Sequence, residues 1–421
     1  MLRACGIPFA LALFLSLSSC QQGCTTGSDL FYNYLPIQVG PASASPVPNI
    51  PWVSVTICVP GTTNCQTVDN IILDSGSTGL RIFSSALTVT GFPGEQSGGN
   101  PMAECATFGS AITWGSVVTA SVTLGGESPV TVPIQLIDAS FGTASPPAPC
   151  GFPTASPGQL NGNGILGIMS TQFDSAYDEY FTCQGGTCSF LSAPGGLSVE
   201  NPVYLLPQDN NGVIVYLDPI PDGGASEGVG AVVLGVDTEA NNDPNFISSG
   251  DAYHCVESSS SAFFTNYKGQ QIWQSIADTG SNMLFFQDSS LPQCALTLFT
   301  TGYCPNPEVN LTASVHGNTG TPQALSFTVG NGAALYDSGN SAFDDLAAPL
   351  EITGGIDFDW GLPFFFGRSV FITYGSSPST VCGSGGITAN MWGFAGLPET
   401  PSPTMQKILE KAREAQHRKK N

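Results

Sequence analysis

From Trp52 onward, apolar and polar residues alternate in short runs broken by Gly, Pro, Asn and Ser. A period of two places every second side chain on one face, the mark of a half-buried strand. Runs of this kind predict strands at Val53–Val59, Asn70–Leu73, Ala111–Gly125, Val130–Ile137, Val213–Leu217, Ala231–Val236, Gln271–Ala277, Leu325–Val329 and Ser369–Tyr374. Their Val, Ile, Thr and Phe content points the same way. Helical spacing is confined to a turn or two at Phe173–Phe181 and to Gln406–Arg418 in the tail. There Ile408, Leu409, Ala412 and Ala415 form one narrow apolar stripe, and the expectation for 399–421 is a solvated, frayed basic tail. Residues 21–51 show no period and read as a tether. The fold class predicted is all-β.

One pattern occurs twice. Ile71-Ile72-Leu73-Asp74-Ser75-Gly76-Ser77 has a counterpart in Ser275-Ile276-Ala277-Asp278-Thr279-Gly280-Ser281. In each, an apolar strand runs into Asp-[Ser/Thr]-Gly-Ser. Farther on, each half has two bulky apolar residues and a glycine, Ile165-Leu166-Gly167 and Phe365-Phe366-Gly367. Gly167 lies 93 residues after Asp74, and Gly367 lies 89 after Asp278. Two elements recurring in order at nearly equal spacing predict duplicated lobes, 51–200 and 201–398. A third Asp-Ser-Gly, Asp337-Ser338-Gly339, has no such strand or glycine partner and reads as a turn. Asn310-Leu311-Thr312 matches a glycosylation acceptor and reads as a strand edge.

Composition narrows the function classes. Gly 50 and Pro 32 in 421 residues suit many short strands joined by tight turns. The net charge of −22 excludes nucleic acid as a partner, because phosphate binding needs clustered Lys and Arg. Six of the ten basic residues lie in the last fifteen positions, so the body of the chain is almost purely acidic and is relieved by mild acid.

The N-terminus reads as an address. Met1-Leu2-Arg3 precedes the apolar stretch Ile7 to Leu17, too short to span a bilayer, so 1–19 is expected to be a secretory signal. Leu17-Ser18-Ser19-Cys20 resembles a bacterial lipoprotein signal. That implies lipidation of Cys20, a lipid-anchored linker over 20–50, and a location in the cell envelope at the outer membrane. Of the thirteen cysteines Cys5 would leave with the signal and Cys20 would carry the lipid, and export makes the other eleven candidates for disulfides. Cys58 with Cys65, Cys183 with Cys188, and Cys294 with Cys304 bracket short loops; Cys105, Cys150, Cys255 and Cys382 could form two longer bridges in any pairing, leaving Cys24 odd. Zinc on Cys183 and Cys188 is disfavoured because no second ligand pair accompanies them.

The paired Asp-[Ser/Thr]-Gly-Ser loops resemble those of the pepsin-like aspartic proteases. The strings LDSGSTGLRIF, QDNNGVIVYL and FDWGLPFFFGRSVF resemble, more narrowly, a family of exported bacterial proteins. The resemblance covers roughly Ile50 to Pro398 and implies a bilobal fold of two pseudo-symmetric β-barrel-like lobes with a cleft between them. It implies Asp74 and Asp278 as a catalytic pair and Ser75 and Thr279 as hydroxyls tying the two loops. Gly76 and Gly280 would let the backbone approach closely, Ser77 and Ser281 would bond the outer carboxylate oxygens, and Gly167 and Gly367 would close the braces. Two neighbouring carboxylates cannot both ionise cheaply, so one proton is shared and the pair can activate a water without metal or cofactor.

The resemblance is altered in one corner. The stretch Thr107–Gly115 corresponds to the flap, with Phe108, Gly109 and Trp114 as its candidate residues, and Phe108 would replace the family's tyrosine. Arg81 stands where the family usually has a tryptophan. The expected function is an envelope-anchored, monomeric aspartic endopeptidase acting on a peptide or protein substrate, with the membrane as a second partner through its lipid. The alternative is an inactive pepsin-fold binding or structural lipoprotein.

Overall fold

A computed structural model of the chain describes residues 32–420, apart from 42–43, 193, 245–252, 259–261, 297–300, 319, 351–356, 384 and 396–400. The signal at 1–19, the lipidation site Cys20 and the odd Cys24 lie outside the described residues.

The architecture is all-β and two-lobed. In the first lobe the long strand Ile112–Leu124 pairs with Val130–Ile137, which pairs with Thr78–Phe83, then Gly164–Ile168, then Cys65–Asp74, then Pro51–Cys58. Pro51–Cys58 pairs back onto Ile112–Leu124, with Val55 opposite Leu124, so these six strands close on themselves. Alternation explains the closure: Val118, Ala120, Val122 and Leu124 point inward and meet Val53, Val55, Ile57, Val132 and Ile134 in one dry interior. The second lobe carries a seven-stranded sheet in which Phe263–Tyr267, Gln270–Ala277 and Phe358–Trp360 are neighbours. Its core is aromatic; Phe286, Phe327, Phe358 and Trp360 form edge-on, stacked and tilted contacts at centroid distances of 4.6–6.3 Å.

The halves are joined by backbone pairing. Tyr34–Val39 bonds on one side to Pro51–Cys58 and on the other to Gly228–Leu234, which continues through Gly212–Leu217 to Ser369–Thr373. Gly212–Leu217 is buried on both faces, as its unbroken apolar run requires.

Two readings of the sequence change here. Tyr34–Val39 lies in the stretch read as a tether but is a strand, because Leu35, Ile37 and Val39 alternate inward; three apolar residues fell below the length at which a period shows. The tail is a helix, Pro403–Lys420, whose stripe of Met405, Ile408, Leu409 and Ala412 is buried rather than solvated. The helix packs on Tyr34–Val39 and Gly228–Leu234, and Arg413 bonds Asp218. Asn310 sits near the start of Val309–His316, paired there with Thr328 on one side only, since Phe263–Tyr267 meets the strand from Ala313 onward, so it lies at an edge as read. Asp337-Ser338-Gly339 ends a short helix, Gly332–Asp337, with Gly339 at φ +75°. Residues 173–181 hold one 3-10 turn, Asp174–Ala176, and the start of a strand, Glu179–Gln184.

Five disulfides form among the described residues: Cys58–Cys65, Cys105–Cys150, Cys183–Cys188, Cys255–Cys382 and Cys294–Cys304. The two long bridges are thereby resolved, and the Cys183 and Cys188 sulfurs are bonded to each other.

Candidate active site

Each aspartate ends a strand. Cys65–Asp74 carries Ile71, Leu73 and Asp74 inward, and Gln270–Ala277 delivers Asp278 from the other lobe. The loops meet through their hydroxyls. The Ser75 amide donates to Thr279 Oγ1 at 2.9 Å, and the Thr279 amide donates to Ser75 Oγ at 2.9 Å. Each hydroxyl in turn donates across the boundary, Ser75 to the Ala277 carbonyl at 2.8 Å and Thr279 to the Leu73 carbonyl at 2.7 Å. Both side chains are dry, so these four bonds are made without competition from water.

The carboxylates are held in matching ways. The Gly76 amide donates to Asp74 Oδ1 at 2.9 Å and the Gly280 amide to Asp278 Oδ1 at 2.8 Å. Ser77 donates to Asp74 Oδ2, and Ser281 donates to Asp278 Oδ2 at 2.8 Å. The glycines are required by the facing loop. A Cβ on Gly76 would lie 2.7 Å from the Asp278 carboxyl carbon, and one on Gly280 would lie 2.7 Å from Asp74 Oδ1. The two acids therefore face one another across the paired loops. Burial and then the charge of Asp74 push Asp278 well above the usual carboxylate range. One member of the pair thus retains a proton where an ordinary aspartate has lost it.

A brace crosses each loop. Gly164–Ile168 runs parallel to the Asp74 strand, with Asp74 opposite Gly167, and antiparallel to Thr78–Phe83. A Cβ on Gly167 would strike the Ser77 backbone at 2.6 Å. In the second lobe the brace is Phe358–Trp360, parallel to Gln270–Ala277 and bridged to Phe285. Its glycine is Gly361, where a Cβ would come within 1.9 Å of the Met283 carbonyl oxygen and 2.7 Å of that of Ser281. Gly367 is not in this brace. Its amide bonds the Leu217 carbonyl at 2.8 Å, away from the Asp278 loop. The correct glycine lies 83 residues after Asp278, and the motif before it is Asp359-Trp360. A search for two apolar residues passes over a pair that begins with a carboxylate, so the Phe365-Phe366-Gly367 run was the better match by pattern alone.

The hairpin over Thr107–Gly115 is formed by Asn100–Thr107 and Ile112–Leu124, with the Phe108 amide bonding the Ala111 carbonyl at 2.8 Å. Gly109 is exposed at its turn. Phe108 packs on the cluster that contains Ile72 and Ile165, which flank the Asp74 loop and its brace. Trp114 lies deeper, fully buried, its indole donating to the Phe141 carbonyl at 2.9 Å and its ring edge-on to Phe181. It anchors the hairpin rather than lining a cleft.

Beneath Phe108 lies Arg81, wholly buried, its guanidinium carbon 5.5 Å from the ring centroid. Its Nη2 meets Glu104 and Asp174 at 2.5 Å and Asp178 at 3.0 Å, and its Nη1 donates to the Thr78 carbonyl at 2.7 Å. These three carboxylates converge closely enough to suggest a cation site, but the guanidinium occupies their meeting point. One cation cannot neutralise three acids. Burial, more than any neighbour, pushes Asp174 well above its usual range and Asp178 up to about 7. Asp178 also accepts the Thr107 amide at 3.2 Å, so the cluster ties the flap's base to the loop after the brace.

Compared with known proteins, the chain is similar to the crystal structure of an aspartic proteinase from Irpex lacteus, at 14% identity and a TM-score of 0.49, over 86% of this chain and 96% of that one. No curated protein matches the sequence. The model of the family described as "Protein of unknown function (DUF3443)" matches residues 30–389, and the chain belongs to that family.

Proposed function

We propose that this protein is an aspartic endopeptidase that hydrolyses peptide bonds with water activated by Asp74 and Asp278. The observation that carries the reading is the pair of facing carboxyl groups, each held by one glycine amide and one serine hydroxyl. In this chemistry the ionised member takes a proton from the bound water, and the protonated member delivers one to the peptide oxygen. Its state of one shared proton suits mildly acid to neutral pH.

Export and anchoring through a lipid on Cys20 complete the proposal. Five disulfides among the described residues fit an oxidising compartment. The test is incubation of the protein with a denatured protein substrate between pH 3 and 7. Cleavage should occur, a statine-type inhibitor should block it, and Asp74→Asn and Asp278→Asn should each abolish it. Cleavage surviving in either variant overturns the reading.

A binding module on the same fold is the second reading, favoured by the corner where Phe108 offers no hydroxyl and Arg81 is committed to three acids. It predicts capture of an extended peptide without turnover, unaffected by Asp74→Asn.

A further inference from the structure

The second lobe's brace carries a residue that the first lobe's does not. In the strand registers Ile72 faces Ile165, and the corresponding pair is Ile276 and Asp359. A carboxyl group has thus replaced an aliphatic side chain in the wall behind the dyad. Asp359 is 5% exposed, and its Oδ1 has no hydrogen-bond partner among the described residues. Its other strand neighbour is Phe285. The titratable groups that face it are Asp278 and Asp74, both acidic. The polar side chain that acts on both acids is Ser281: its hydroxyl donates to Asp278 Oδ2 at 2.8 Å, and its proximity opposes the effect of burial on Asp359.

A serine hydroxyl has a single proton and two lone pairs. When that proton points at Asp278, Ser281 can offer Asp359 only a lone pair. An ionised Asp359 would then face an acceptor in a dry site beside two other acids, whereas a protonated Asp359 completes the chain. Burial favours the same state and outweighs the opposing effect of the Ser281 hydroxyl, pushing Asp359 up to about 8, with the charge of Asp74 adding to it.

We infer that Asp359 is a positioning residue of the dyad: its protonated carboxyl donates to Ser281 Oγ, which keeps the Ser281 proton on the outer oxygen of Asp278. When alkali removes the Asp359 proton to solvent, Ser281 swings its own proton to the new carboxylate. Asp278 then loses a hydrogen bond and gains a second negative neighbour beside Asp74. The site is thereby shut off by a group outside the catalytic pair. The inference rests on the endopeptidase reading for its kinetic consequence, though not for its protonation state.

The experiment compares the full-length native protein with Asp359→Asn and Asp359→Leu. An asparagine amide donates to Ser281 at every pH; leucine restores the aliphatic character found at Ile165. For cleavage of a denatured substrate from pH 3 to 9, the native alkaline limb should fall with the loss of two protons. In Asp359→Asn it should fall with one, with acid-side kcat within a few-fold of native. Asp359→Leu should lose about tenfold in kcat with KM unchanged, as expected for one orienting hydrogen bond. Superimposable profiles for all three folded proteins would overturn the inference. Infrared difference spectra of the same proteins at pH 6.5 supply a readout free of turnover. A protonated-carboxyl band present in the native protein and missing from Asp359→Asn is expected, and its absence from the native protein would also overturn the inference. A native protein that shows this band yet cleaves nothing sinks the endopeptidase reading and leaves the proton assignment standing.

Discussion

Ser75 and Thr279, 204 positions apart, exchange reciprocal amide-to-hydroxyl bonds of 2.9 Å across the boundary between the two lobes. Each hydroxyl accepts one bond and donates its only proton, in a site closed to water. The pair therefore sets the separation of the two aspartates that precede them.

Removing one hydroxyl should be costly and coupled. Thr279→Val strands the Ser75 amide and the Leu73 carbonyl in a dry site, at about 2–4 kcal/mol. Ser75→Ala should cost a similar amount by stranding the Thr279 amide. Because both changes break one network, the double variant should lose clearly less than the sum. Urea denaturation measures all three, and strict additivity would show that the bonds do not act as a unit.

Arg81 holds together three acids that would repel without it. Arg81→Met should destabilise the protein by about 3–5 kcal/mol at pH 8, since Glu104, Asp174 and Asp178 are left buried without a cation. The deficit should shrink at pH 5, where Asp174 and Asp178 take up protons and need no counter-charge. Denaturation midpoints at the two pH values decide this. A deficit that is equal or larger at pH 5 would mean that packing, not charge, is what the arginine supplies.

Stability should peak in acid. Asp178 is pushed up to about 7 and Asp359 to about 8, in both cases by burial before any other cause. A carboxyl raised on folding binds its proton more tightly in the native state. Its contribution is therefore full below the unfolded value near 4 and is lost as pH rises through 7 to 8. Asp288 behaves oppositely. Burial alone would raise it, but Lys268, Tyr267 and Ser290 bond its carboxylate and hold it down to about 2. Its contribution is present above about 4 and is lost as pH falls toward 2. Thermal unfolding should thus show the highest midpoint near pH 4, several degrees above that at pH 8. A midpoint that climbs steadily from pH 4 to 8 would contradict these assignments.

Much of the molecule was legible in the order of residues. Alternation along Val53–Val59, Ala111–Gly125 and Val130–Ile137 reported strands because one face of each is dry and the other wet, and that difference is written at every second position. The repeated Asp-[Ser/Thr]-Gly-Ser loops were visible for a related reason. Close approach of the opposite aspartate's carboxyl group tolerates only glycine at Gly76 and Gly280, and the bonds around them require small hydroxyl residues.

Features that depend on who meets whom across the fold were not visible. The strand Tyr34–Val39 and the helix Pro403–Lys420 are stabilised by each other and by Gly228–Leu234, so neither stretch is structured by its own pattern alone. Pairing of Cys105 with Cys150 and of Cys255 with Cys382 had equal standing with other pairings until chain topology set the distances. The second brace was hidden because Asp359 breaks the apolar rule that defines such a strand, and the proximity of Ser281 that makes its carboxyl tolerable exists only after folding. Sequence alone determined the period of each strand and the chemistry of each aspartate loop, since both are set by near neighbours along the chain. Tertiary structure alone decided which glycine crosses behind Asp278 and which acids surround Arg81, since burial and charge act through space between residues far apart in sequence.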